Sequence, residues 1–316
     1  MRILIVTPAP PRSRKGNRVT AVRWSRILRD LGHAVVIAQE YKAQRCDLLV
    51  ALHALRSFPS IERFRHLHPV LPLIVTLTGT DLYGDIGTDE RARRSLDLAD
   101  ALIVLQSRGI DDLPEAVRSK ARVIYQSIRP PPGAPRPRRD VFEICVVGHL
   151  RPVKDPFRTA AASRLLPASS RIRVLHIGGA LSADMERLAH RESADNPRYR
   201  WLGELPRWRT IRALARCRLL VLSSQMEGGA HVVSEALACG VPVVASDIPG
   251  SVGLLGESYP GYFPVGDTQA LSDLLLRCET DSDFYAELEQ GCVSLAALVD
   301  PARETACWAR LLTDLD

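Results

Sequence analysis

The feature of this sequence that most constrains its fold is a regular alternation of short apolar runs with helical patterns. The runs are rich in β-branched residues and have the length of strands. Between the first two runs, "VTAVRWSRILRDLGH" spaces its apolar residues by three and four and ends near Gly32, as a helix does. Strand–helix–strand repetition predicts parallel sheets. The predicted strands of the first half cover residues 3–6, 34–38, 48–52, 73–77, 101–105 and 123–125.

The alternation stops at the proline- and arginine-rich stretch "RPPPGAPRPRR" and resumes at "FEICVVGHL". Such a stretch cannot form the interior of a helix or strand, and it predicts a linker over 131–139. We therefore predict an α/β protein with two Rossmann-like domains, 1–130 and 140–300, and a ligand in the central cleft that they face. A last amphipathic helix, about 301–316, is expected to pack back near the first domain. The predicted strands of the second half cover residues 172–177, 199–202, 219–223 and 241–245.

Composition narrows the class of protein. A hydrophobic content of 46% and a charged content of 25% are typical of a soluble globular chain. The longest apolar runs fall far short of the roughly 20 residues of a membrane-spanning helix, and "MRILIVTP" has the pattern of a first strand rather than a signal peptide. We expect a cytoplasmic protein without stable membrane insertion. The seven cysteines show no metal-ligand spacing, so we expect buried free thiols and no metal.

Charge is distributed unevenly along the chain. Residues 1–139 carry 24 Lys and Arg against 13 Asp and Glu, and the first 29 residues hold eight basic side chains and no acidic one. A solvated helix face is the ordinary interpretation of such a run. Part of it, however, lies in the loop "PAPPRSRKGNR" after the first strand, which favours anion binding. With 5% aromatic residues and no nucleic-acid motif, a nucleic-acid partner is not expected.

Two glutamates bracket a diglycine in "EGGAHVVSE", between a strand and a helix that ends at Gly240. Backbone amides at a glycine-rich helix start bind phosphate or sugar oxygens, and glycines allow that close approach. Glu235, inside the helix, is placed to accept the hydroxyls of a ribose, and Glu227 those of a sugar. The alternatives are that Glu227 only complements the helix dipole and that Glu235 is a surface residue.

A second cluster lies in "VVGHLRPVKDP", where His149, Arg151 and Lys154 follow a strand. Cations in this turn can neutralise a diphosphate leaving group. The alternatives are charged loop residues at a helix start, and a hydrogen-bonded loop role for His149.

Together these stretches resemble the nucleotide-sugar glycosyltransferases of the GT-B fold that carry an E-x7-E motif. The resemblance covers nearly all of the second half, including "GVPVVAS" and "FPVGDTQALSDLL". It implies that Glu235 binds the nucleotide ribose, that Arg151 and Lys154 bind the diphosphate, and that no cofactor or metal is needed. The family usually has arginine where this chain has His149, so the resemblance leaves open whether His149 or Arg151 takes that role. It assigns the donor sugar to a group that starts at Glu227 and continues with Gly228, Gly229, Ala230 and His231.

In the first half, "RKGNRVTAVRW", "LVALHALRS" and "LTGTDLYGDI" look like the selenosugar synthases of selenoneine biosynthesis. Those enzymes join selenophosphate to the anomeric carbon of a UDP-sugar. Selenophosphate is already an anionic nucleophile, so its site needs cations more than a base. We expect Thr80 and Asp81 to contact or position substrate, and His53 either to touch the acceptor or to have a core or capping role. The remaining predicted acceptor residues are Lys15, Gly16, Asn17 and Arg18.

The sequence thus supports two functions. The first is transfer of a sugar from UDP-N-acetylglucosamine or UDP-glucose to selenophosphate, which gives a 1-selenosugar, UDP and phosphate. The alternative is a conventional transfer from a UDP-sugar to a hydroxyl of a lipid or glycan.

Overall fold

The chain folds into two compact units. A computed structural model describes residues 1–13, 16–130, 132–133, 137 and 140–315, so most of the predicted linker lies outside the described residues. The first unit comprises Met1–Ser127, the three residues Glu227–Gly229, and Pro301–Asp316. The second comprises Ile128–Met226 and Ala230–Asp300. Each unit is therefore built from separated parts of the chain.

The first unit contains a parallel six-stranded sheet in the order β2-β1-β3-β4-β5-β6. Its strands are β1 (Arg2–Val6), β2 (Ala34–Ala38), β3 (Leu48–Leu52), β4 (Leu73–Thr76), β5 (Ala101–Val104) and β6 (Ala121–Val123). Its helices are α1 (Gly16–Asp30), α2 (Phe58–Leu67), α3 (Ile86–Thr88), α4 (Glu90–Leu98), α5 (Glu115–Arg118) and α13 (Pro301–Thr313), with a π-helical turn over Asp81–Asp85 and a 3₁₀ turn over Ser107–Ile110.

The central strands of this sheet are buried along their whole length because both faces of the sheet are covered by apolar side chains. One core contains Phe64 and the inner face of α4. The other contains Trp24 of α1 and Trp308 of α13, whose rings meet edge to face at 4.9 Å. The last helix thus completes the hydrophobic core of the first unit.

The second unit contains a parallel six-stranded sheet in the order β12-β11-β10-β7-β8-β9. Its strands are β7 (Phe142–Val147), β8 (Ile172–Ile177), β9 (Tyr199–Trp201), β10 (Leu219–Leu222), β11 (Val243–Ser246) and β12 (Tyr262–Phe263). Its helices are α6 (Arg158–Arg164), α7 (Ala183–Asp195), α8 (Arg207–Leu214), α9 (His231–Cys239), α10 (Pro249–Leu255), α11 (Thr268–Thr280) and α12 (Ser282–Leu295), with 3₁₀ turns over Pro152–Lys154 and Ala296–Val299.

Each sheet has a point at which its strand order reverses. In the first sheet β1 lies between β2 and β3, and in the second β7 lies between β8 and β10. Loops leave the carboxyl ends of the strands in opposite directions at such a point, which opens a crevice for ligands. The crevice of the first unit is flanked by the loops that follow β1 and β3. That of the second unit is flanked by the loops that follow β7 and β10.

Candidate functional site

The double-glutamate stretch has the predicted local structure. Helix α9 begins at His231 and ends at Cys239. The next residue, Gly240, has a φ of +65°, a left-handed conformation that glycine adopts without strain. Glu235 is the fifth residue of α9, and Glu227 precedes the helix by four positions. Both glutamates are buried, so the interpretation of Glu235 as a surface residue is wrong. Binding of ribose and sugar by these carboxylates stays a prediction.

Glu235 is held by a residue that the sequence analysis missed. Arg207, the first residue of α8, donates from Nε and NH2 to Oε1 of Glu235, at 3.2 and 2.9 Å. The glutamate side chain is 8% exposed and that of Arg207 is 48% exposed. A buried carboxylate needs such an opposite charge. The two residues are 28 positions apart, and no motif connects them.

The diglycine is needed for packing against the protein's own backbone. A Cβ on Gly228 would lie 2.5 Å from the backbone nitrogen of Gly79, and one on Gly229 would lie 2.6 Å from Cβ of Leu105. Backbone packing is therefore one reason for glycine at both positions, and contact of their amides with a sugar stays a prediction. The same contacts make Glu227–Gly229 part of the first unit.

The loop after β7 is hydrogen-bonded to the loop that follows β8. The Gly179 amide donates to Nδ1 of His149 at 3.2 Å, and the Leu150 amide donates to the Gly179 carbonyl. A Cβ on Gly178 would come within 1.8 Å of the Gly148 carbonyl oxygen, so only glycine fits there. His149 is thus a hydrogen-bonded loop residue, whether or not it also meets a ligand.

A buried histidine fixes the start of this loop. His176 of β8 contacts the Tyr199 hydroxyl through Nδ1 at 2.8 Å and the Gly148 carbonyl through Nε2 at 3.2 Å. The carbonyl must accept, so Nε2 carries the hydrogen and Nδ1 accepts from the tyrosine. Burial lowers the pKa of His176 to about 4, which keeps the ring neutral and both hydrogen bonds intact.

Lys154 and Arg151 lie at this carboxyl edge as predicted, and both are partly buried. The Ser223 hydroxyl, just after β10, contacts the carbonyls of Lys154 and Asp155 at 3.3 and 2.9 Å. The Gln225 amide donates to the Val153 carbonyl. The loops after β7 and β10 are therefore joined at the crevice of the second unit, where a diphosphate would meet both cations.

In the first unit, Asp81 is a structural residue. It is fully buried, and its Oδ1 accepts from the amides of Thr78 and Gly79 at 2.8 and 2.9 Å. Its Oδ2 accepts from the Ala54 amide at 3.0 Å. The expectation of a direct substrate contact by Asp81 is therefore corrected to the positioning role, because its oxygens hold the loops after β3 and β4 together.

His53 and Thr80 form a pair beside it. His53 is buried and adopts a φ of +76°, a strained conformation that often marks a functional site. Its Nδ1 accepts from the Arg56 amide at 3.3 Å, so Nε2 carries the hydrogen and donates to Oγ1 of exposed Thr80 at 3.1 Å. Burial lowers the pKa of His53, against the opposing effect of Asp81. The Thr80 hydroxyl hydrogen can then point to a ligand.

The predicted acceptor loop is described only in part. Lys15 lies outside the described residues, and α1 begins at exposed Gly16, with Asn17 and Arg18 partly exposed. Just before it, exposed Arg12 has a φ of +66°. This loop follows β1 at the crevice of the first unit. Strand β1 pairs with β3, and His53 directly follows β3.

Within the described residues, none of the helices combines the length and the hydropathy that a membrane span requires. The same residues contain no group of three or more His, Cys, Asp or Glu side chains arranged to hold a metal ion. The seven cysteines are free thiols, most of them buried.

The fold is that of several solved glycosyltransferases. HepE of Anabaena in complex with UDP-glucose is 17% identical, with a TM-score of 0.79 over 99% of this chain and all of that one. A sucrose-phosphate synthase of Thermosynechococcus elongatus is 16% identical, with a TM-score of 0.80 over 99% of this chain and 98% of that one. A glycosyltransferase of Rickettsia africae is 12% identical, with a TM-score of 0.76 over 99% and 98%.

These similarities define the GT-B fold class, as the sequence predicted. The family model of glycosyl transferases group 1 matches residues 133–291, which is half of the chain and includes both predicted donor motifs. The chain belongs to this family and is a glycosyltransferase.

Proposed function

We propose that this glycosyltransferase uses a UDP-sugar as donor and selenophosphate as acceptor. UDP-N-acetylglucosamine and UDP-glucose are the two candidate donors. HepE, which shares the fold, was crystallised with UDP-glucose, and this supports the choice of nucleotide. No cofactor or metal takes part in the proposed reaction.

The donor would be held at the helix start that contains the E-x7-E motif. Glu235 would accept the ribose hydroxyls. The partly buried Arg151 and Lys154 would neutralise the diphosphate as it leaves. Glu227 and the amides of Gly228 and Gly229 would contact the sugar, together with Ala230 and His231 at the start of α9.

The selenium atom of selenophosphate would attack the anomeric carbon as the bond from that carbon to the UDP oxygen breaks. The bonding electrons leave with UDP. Water then cleaves the selenium–phosphorus bond, which gives the 1-selenosugar and inorganic phosphate. The net reaction consumes one UDP-sugar, one selenophosphate and one water.

The observation that carries this choice of acceptor is that both carboxylate oxygens of Asp81 already accept hydrogen bonds from backbone amides. A hydroxyl acceptor needs a base to take its proton. Asp81, the acidic residue of the loop after β4, accepts hydrogen bonds from the amides of Ala54, Thr78 and Gly79 and has no exposed surface. Selenophosphate, in contrast, arrives as an anion. It would be met by donors: the Thr80 hydroxyl, the start of α1 at Gly16 and Asn17, and the basic side chains of Lys15 and Arg18.

The alternative acceptor is a hydroxyl of a lipid or glycan. It is favoured by two solved proteins with this fold, the sucrose-phosphate synthase and a lipopolysaccharide outer core galactosyltransferase of 13% identity and TM-score 0.70. With a hydroxyl acceptor, the basic start of α1 would contact a membrane or an anionic acceptor instead.

One assay separates the two functions. The purified chain is incubated with each UDP-sugar, with and without selenophosphate, while UDP release and product mass are followed. We expect selenophosphate-dependent UDP release and a product that carries the selenium isotope pattern. UDP release without selenophosphate, with no selenium in any sugar, would instead establish the conventional function.

A further inference from the structure

Arg207 forms an ion pair with Glu235 of the proposed donor site, although Arg207 lies outside the E-x7-E motif. Arg207 directs two N–H groups, from Nε and NH2, onto the same oxygen of Glu235. It stands at the start of α8, directly after Pro206, so its backbone is fixed by the helix start. The glutamate is the second carboxylate of the E-x7-E motif.

This pair differs from an ordinary surface ion pair. Exposed pairs contribute little because water solvates both charges. Here the carboxylate is 8% exposed, while the guanidinium at 48% exposed reaches it from the solvent side. A carboxylate so deeply buried loses much of its hydration, so its ionised form depends on a nearby positive charge. Arg207 supplies that charge.

The geometry also limits how the carboxylate can turn. Two N–H donors converge on Oε1 and hold that oxygen in place from the Arg207 side. A lysine ammonium would supply the charge but not this two-point contact. Ribose hydroxyl groups donate stronger hydrogen bonds to an ionised carboxylate than to a neutral carboxyl group.

We propose that Arg207 is a positioning residue of the nucleotide site, which keeps Glu235 ionised and oriented for the ribose hydroxyls. The inference rests on the proposed UDP-sugar donor and does not depend on which acceptor the enzyme uses. The opposite possibility is that Arg207 occupies the carboxylate and must be displaced before the nucleotide binds. The positioning role predicts that loss of Arg207 weakens UDP binding, and the blocking role predicts that it strengthens UDP binding.

The test measures UDP binding by isothermal titration calorimetry with the full chain. We expect Arg207→Gln to weaken UDP binding about tenfold, because a neutral side chain removes the positive charge that Arg207 places on Glu235. Arg207→Lys should recover part of this loss. In steady-state kinetics, the KM for the UDP-sugar should rise while kcat stays within about twofold, since ribose binding precedes the chemistry.

The pH dependence of UDP affinity distinguishes this role from a merely structural one, because a structural role of Arg207 would leave that dependence unchanged. In Arg207→Gln the ionised form of Glu235 loses the opposite charge beside it, so UDP binding by this variant should weaken further between about pH 7.5 and about pH 5.5 than binding by the parent enzyme. The control is Arg209→Gln. Arg209 is exposed and lies over the Trp208 ring at 5.1 Å, and its replacement should leave both affinity and pH profile unchanged.

Three results would overturn the inference. Tighter UDP binding by Arg207→Gln would show that Arg207 blocks the site, and equal binding with an equal pH profile would show that it is irrelevant. A parent enzyme that binds no UDP would remove the donor site itself. Failure of the selenophosphate assay alone, with UDP binding as expected, would refute only the proposed acceptor and leave the role of Arg207 supported.

Discussion

Gly228 and Gly79 lie with their backbones in contact, so that neither position has room for a side chain. A Cβ on Gly79 would lie 2.9 Å from the Gly228 nitrogen, and one on Gly228 would lie 2.5 Å from the Gly79 nitrogen. Gly79 also has a φ of +128°, which side chains other than glycine rarely tolerate. The loop after β4 and residues 227–229, the first part of the E-x7-E motif, thus pack directly against each other.

We predict that Gly228→Ala lowers kcat/KM for the UDP-sugar at least tenfold. The added methyl group cannot be accommodated without moving residues 227–229 or residues 78–79, and with them Glu227. Gly87→Ala is the matched control in the same unit, because nothing lies within 4 Å of its Cβ position. Steady-state rates and thermal melting of both variants check this. Activity of Gly228→Ala within twofold of the parent would contradict it.

Thr80 is expected to act on the acceptor alone. Replacing it by valine keeps the shape and removes the hydroxyl that His53 orients, which should raise the KM for selenophosphate about tenfold without changing that for the UDP-sugar. Thr80→Ser should restore most of the loss. Thr88→Val is the control, since Thr88 is also exposed and its hydroxyl donates to the Gly84 carbonyl. An equal effect on both substrates would mean that Thr80 merely supports the fold.

His176 should make the protein sensitive to acid. Its pKa is lowered from 6.5 to about 4 in the folded state, so the unfolded chain binds more protons between these values. Stability is therefore complete above about pH 6.5 and falls as the pH drops towards 4. The total loss from this residue is about 3 kcal/mol. Urea unfolding at a series of pH values measures it.

The variant His176→Gln isolates that contribution. Glutamine can occupy a similar volume but has no proton to gain in this range, so its unfolding free energy should change less between pH 6.5 and 4. The same slope in both proteins would show that carboxylates, not His176, cause the acid sensitivity.

Glu304 should be a major determinant of stability. Its side chain is fully buried and accepts from Trp24 Nε1 at 2.7 Å, Arg23 Nε at 3.1 Å and the Ser127 amide at 2.9 Å. We expect Glu304→Gln to lower the free energy of unfolding by about 3 kcal/mol, because the mutation breaks a largely buried ion pair with Arg23. Asp314→Asn is the control. Its pair with Arg122 is half-exposed and should be worth less than about 1 kcal/mol.

Local patterns predicted most of the fold. The strands over 34–38, 48–52 and 172–177 have the predicted bounds, because each is a continuous apolar run. The strand predicted over 123–125 instead covers Ala121–Val123. The β-branched residues continue past Val123, but the pairing with β5 ends at Val123. Strand β12 was missed, since two residues are too few to show a period.

The site was predictable only where its residues are neighbours in sequence. The E-x7-E stretch and the turn around Lys154 are recognisable from the spacing of neighbouring residues. The residues that contact them from elsewhere in the chain are not recognisable in this way. Arg207 and Glu235 are 28 residues apart, and Trp24 and Glu304 are 280 apart. Such pairs form only when the sheet order brings distant loops together, and a single sequence does not encode that order in any local pattern.

The pairing of Trp24 with Trp308 has a consequence for how this protein is made. A ribosome releases the chain from its amino end at roughly 5–20 residues per second, so α1 emerges well before α13. Until α13 arrives, Trp24 lacks the ring it packs against, and Arg23 lacks its carboxylate. The first unit is therefore the first to be translated, but its hydrophobic core is completed only when α13 is added. Nascent chains stalled before residue 301 should expose this apolar face and recruit chaperones.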